Sequence, residues 1–69
     1  MGAGSVSAAA SLRASSDALF LAGQETSAIF ARSLADQCDR MGPIGEALHR
    51  HWAADMAARA QRVQRGEAA

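Results

Sequence analysis

Four side chains in the middle of this 69-residue chain are of types that can do chemistry: Cys38, His49, His51 and Asp55. Cys38 and His49 flank a turn, an arrangement that invites a thiolate–imidazole pair. Such a pair needs a third group to orient the base and a pocket to enclose the reaction. The sequence offers neither, so Cys38 is expected to act as a small buried hydrophobe. His49 and His51 lie two residues apart, which on a helix points them about 200° away from each other. Helical metal pairs use i, i+3 or i, i+4 spacing. His51 and Asp55 have that spacing, but two ligands make no site. Gly2-Ala3-Gly4 is not a dinucleotide loop, because no strand precedes it and no third glycine follows. The expectation is no catalytic residue, no cofactor and no metal.

The elements that hold these residues are written in the apolar spacing. Gly42-Pro43 is the one strong break between two long stretches of helical periodicity. Proline fits the first turn of a helix and glycine the position just past its end. The reading is therefore helix 12–41, a turn over 41–44 at Gly42 and Pro43, and helix 43–65. Residues 1–11, rich in serine and alanine, are expected to fray, and 66–69 to form a tail.

In the first helix, Leu12, Leu19, Phe20, Gly23, Phe30, Leu34, Cys38 and Met41 fall on one stripe. Asp17, Gln24, Glu25, Arg32, Asp36 and Asp39 fall opposite. Leu21 and Ile29 sit off the stripe, either as scattered surface residues or as a second contact face. In the second helix Ile44, Leu48, Trp52 and Met56 follow at four-residue spacing and Val63 extends the row. Trp52 reads as a core anchor whose indole N–H needs an acceptor, for which Gln37 is the candidate. Arg59, Arg62 and Arg65 suit the negative end of the helix dipole.

The fold expected is all-α, a two-helix antiparallel hairpin. Its seam is Leu12, Leu19, Phe20, Phe30, Leu34, Met41, Leu48, Trp52 and Met56. The longer first helix would overhang, leaving Leu12 to Phe20 without an internal partner, so oligomerisation into a helical bundle or coiled coil is expected to complete the core. A chain this short is marginal alone, and one cysteine allows no internal disulfide.

Seven arginines balance seven acidic residues, with no lysine, so there is no general field for nucleic acid. No apolar run approaches the ~20 residues that span a bilayer. The N-terminus lacks the basic flank of a secretory signal. These features predict a cytoplasmic protein.

The stretch Gln24-Glu25-Thr26-Ser27-Ala28-Ile29-Phe30-Ala31-Arg32-Ser33-Leu34-Ala35, the break at Gly42-Pro43, and Glu46-Ala47-Leu48-His49-Arg50-His51-Trp52-Ala53-Ala54-Asp55-Met56 together resemble a phasin. Phasins are helical proteins of the polyhydroxyalkanoate granules of storage bacteria. The resemblance covers roughly residues 17 to 65. It implies a non-enzymatic protein that coats an apolar polyester granule. The off-stripe Leu21 and Ile29 are the candidate adsorption face, and the unpartnered overhang predicts a homo-oligomer. The alternative is a small accessory hairpin that docks on a larger protein partner.

Overall fold

A computed structural model describes residues 6–66, and these form three α-helices with no strand among them: α1 (Ala8–Leu21), α2 (Glu25–Met41) and α3 (Pro43–Gln64). The fold is all-α, but the first expected helix is two. The backbone turns at Ala22-Gly23-Gln24, where Gly23 adopts φ 84°. Gln24 N–H donates to Leu19 O at 2.8 Å and Gly23 N–H to Phe20 O at 3.0 Å. That pair of bonds is a Schellman cap, which satisfies the last carbonyls of α1 and needs a left-handed residue at its centre. The overhang of a long first helix therefore does not exist. α1 folds back and packs against both α2 and α3, giving a body of 33 × 29 × 15 Å.

The second turn matches its expected position. Gly42, at φ 65°, is the only residue between α2 and α3, and Pro43 opens α3. Gly42 N–H closes onto Cys38 O and Glu46 N–H onto Gly42 O.

The start of α1 corrects the expectation that residues 1–11 fray. Residues 1–5 lie outside the described part, but the helix begins at Ala8, and Ala8 and Ala9 are buried. The first free N–H groups of any helix need partners from outside it. Here the Glu46 carboxylate of α3 accepts from Ala8 at 2.8 Å and from Ala9 at 3.0 Å. Ser7 Oγ accepts from Ala10. At the other end α3 runs to Gln64, Arg65 caps it and Gly66 turns away, while the last three residues of the expected tail are outside the described part.

The core is lined largely by alanine. Leu12 and Leu19 have no exposed surface, and Leu34, Met56 and Cys38 are buried with them. Ala28, Ala31, Ala35, Ala53 and Ala60 fill the rest. Small side chains let helices approach closely at interior density. Ser15 and Ser16 are buried too, and Ser16 satisfies its hydroxyl by donating to Ala28 O at 2.8 Å.

Candidate functional site: apolar surfaces at two helix junctions

Of the nine residues expected in the seam, the structure places Leu12, Leu19, Leu34 and Met56 inside. Phe20, Phe30, Met41, Leu48 and Trp52 are exposed. Both phenylalanines and the only tryptophan thus lie outside a core built from alanine and leucine. Leu21 and Ile29, expected off the stripe, are exposed as well, Leu21 by 87%.

These side chains gather at two places. At the α2–α3 junction, Phe30 meets Trp52 edge to face, with ring centroids 5.0 Å apart and planes at 82°. This is a favoured aromatic geometry. Ile44 and Leu48 extend the row along α3 at four-residue spacing, and both are more than half exposed. The junction beneath is tight. His49 Nε2 lies 2.9 Å from Gln37 Oε1, and Arg59 donates to Ser27 Oγ. Gly45 is buried so close to α2 that a Cβ there would stand 2.8 Å from Met41 Cβ and 3.1 Å from Cys38 Cα.

At the α1–α2 junction the surface is concave. A groove of about 590 Å3 is lined by Asp17, Phe20, Leu21, Ala28, Ile29 and Arg32, together with Ser16 and Ser33. Phe20, expected in the seam, joins Leu21 and Ile29 here because the Gly23 turn folds α1 back beside α2. Asp17 and Arg32 have no ionic partner within 4 Å among the described residues, and they face the groove with opposite charges. On the surface of the same helix pair Arg13 bridges Asp36 at 3.3 Å and Asp39 at 2.5 Å. Asp39 and Asp36 together hold its guanidinium above the ordinary arginine value, Asp39 more strongly.

The residues capable of chemistry are dispersed by the fold. Cys38 is buried, and its thiol donates to Gly45 O at 3.7 Å. Burial, with smaller contributions from Glu46 and Asp39, pushes that thiol up, so the nucleophilic thiolate is disfavoured. No hydrogen bond joins it to His49, which is held by Gln37. Gln37 therefore serves His49, where the sequence suggested Trp52. His51 is exposed and pairs with Asp55 at 3.4 Å. Among the described residues no group of three His, Cys, Asp or Glu side chains could hold a metal ion. No described helix is long and apolar enough to cross a membrane.

No protein-family model matches the chain, and no curated protein or solved structure matches it either.

The sequence pattern left the groove unseen. A continuous stripe from Leu12 to Met41 separates Phe20 from Ile29 by a length of helix. The signal that would have joined them is Gly23, standing two residues past Leu21 as a helix-ending glycine does, with the acidic Glu25 opening the next helix.

Proposed function

We propose that this protein works without catalysis, as a helical coat that adheres to an apolar polymer surface. The observation that carries this reading is the inversion of size between core and surface: alanines inside, aromatic and branched residues outside. Fully burying each exposed leucine or aromatic residue releases about 1.5–3 kcal/mol, which the chain on its own leaves unrealised. The ridge of Phe30, Trp52, Leu48 and Ile44 is the adhesive element, and the arginines and acids elsewhere keep the remainder wet. The phasin-like stretches from Gln24 to Met56 direct the choice of surface to a polyhydroxyalkanoate granule.

The test is sedimentation of the purified chain with polyhydroxybutyrate particles. Binding should resist salt, because burial of apolar surface is not screened. Leu48→Ser and Ile44→Ser, both at exposed positions, should retain helicity and release the chain to the supernatant. If the native chain stays in solution with its helicity intact, the coat reading fails. The ridge then belongs to the accessory-module alternative, whose signature is a stoichiometric complex with a larger protein.

A further inference from the structure

The α1–α2 groove differs from the ridge in having both a hole and a charge pattern. We infer that a second copy of this chain occupies it, in a two-fold contact that seats each Leu21 in the partner's groove and sets each Asp17 against the partner's Arg32. First, a surface that docks on itself must be self-complementary, because a two-fold axis applies the same patch twice. This patch carries one acid and one base, both without an ionic partner within 4 Å among the described residues. Two copies related by such an axis convert them into two ion pairs. A patch of one sign would repel its own copy.

Second, the patch contains a knob beside its hole. Leu21 stands on the last residue of α1 with 87% of its surface exposed, at the lip of a groove of about 590 Å3. The groove walls, Phe20, Ala28 and Ile29, are apolar and match a leucine side chain in chemistry. Third, the core is short of large side chains: among the described residues only Leu12, Leu19, Leu34 and Met56 are large apolar residues buried in it. Association is one of the ways a domain of this size gains missing burial, and with one cysteine no internal disulfide can supply it. The contact uses a different junction from the adhesive ridge, so a dimer leaves both ridges free, and the inference does not rest on the coat reading.

Sedimentation equilibrium on the full chain tests it. The native protein should approach twice the 7.1 kDa monomer mass as concentration rises. Leu21→Glu should keep its helicity by circular dichroism, since the position is exposed, and remain a monomer. Asp17→Arg alone and Arg32→Asp alone should each weaken association about tenfold, by turning two attractions into two repulsions. Mixing those two variants should restore the dimer, because each mixed pair then has opposite charges at both contacts. Recovery on mixing also shows that neither variant is misfolded.

Three results would overturn the contact. One is a native chain that stays monomeric up to about 1 mM with helicity intact, which gives the groove to some other occupant. Another is a dimer indifferent to Leu21→Glu, which places the interface elsewhere. The last is a failure of the mixed charge variants to recover what each lost. Loss of particle adsorption in Leu48→Ser with an unchanged dimer mass separates this contact from the coat function.

Discussion

The two helix junctions of this molecule are built by opposite means. At α2–α3 the turn is a single residue, Gly42, and the helices close until Gly45 lies against the backbone of Cys38. A His–Gln contact and an aromatic pair seal the same junction. At α1–α2 the turn takes three residues. The helices still pack closely, with Ser16 Oγ 2.8 Å from Ala28 O, but a groove remains beside Phe20 and Ile29, and two charges there go unmatched among the described residues. The one-residue turn is flanked by exposed side chains that stand out as a ridge. The three-residue turn is flanked by a receptacle. The lesson is that in a small helical domain the turn decides which kind of surface its flanking residues form.

One substitution made at two glycines should expose the difference. Gly45→Ala puts a Cβ 2.8 Å from Met41 Cβ and 3.1 Å from Cys38 Cα. Neither atom is the far end of a flexible side chain, so the helices must part. Alanine improves helix propensity by roughly 0.5–1 kcal/mol, but the overlap costs about 1–3 kcal/mol and should win. Thermal unfolding should show a fall of roughly 5–20 °C, along with a weaker Phe30–Trp52 contact in the near-ultraviolet spectrum. An unchanged melting temperature would mean that the junction is not closed as described.

Gly23→Ala should cost less and for a different reason. Its Cβ would meet nothing within 4 Å, so the penalty is confined to the left-handed backbone at φ 84°. That penalty is about 1–2 kcal/mol, offset by roughly 0.4–1 kcal/mol from restricting the unfolded chain. The net loss should be near 1 kcal/mol, visible in a chemical-denaturation midpoint at unchanged slope. A loss equal to that of Gly45→Ala would erase the distinction between the junctions.

The smallest expected effect is a pH dependence that reaches neither junction directly. Glu46 is held below its ordinary value of 4.5 by the backbone N–H groups of Ala9 and Ala8. A depressed folded value means that its contribution is complete above the unfolded value and disappears as pH falls through the folded one. Acidification from about 4.5 downward should therefore loosen the start of α1. Glu46→Gln should lower the melting temperature at pH 7 and flatten the response in that acid range. An acid transition of the same size in both proteins would assign it to other carboxylates.

The closed junction was legible in the sequence and the open one was not, for physical reasons. Proline forbids helix continuation, so Gly42-Pro43 announces a turn whatever the surroundings. Glycine merely disfavours helix, by about 1 kcal/mol, and the apolar stripe keeps phase across Gly23, so periodicity alone runs through it. The core was half legible. Leu12, Leu19, Leu34 and Met56 were readable by size and spacing. Ala28, Ala31, Ala35, Ala53 and Ala60 were not, because patterning ranks residues by hydrophobicity while close helix contact selects them by smallness. That same preference expelled Phe30, Leu48 and Trp52, which a pattern naturally assigns to the interior. The role of Glu46 was hidden in a similar way. Its position suited the dipole of its own helix, but its carboxylate serves the N-terminus of another.

That last contact also sets an order of events in folding. α1 has no acidic residue in its own first turn, and two of its leading N–H groups are satisfied only by a side chain 37 and 38 residues further along. α2 and α3, joined by one residue, come together through contacts close in sequence, whose loop-closure cost is low. The beginning of α1 acquires its acceptor only once α3 lies against it. The amides of Ala8 and Ala9 should therefore exchange with solvent whenever that one carboxylate contact opens.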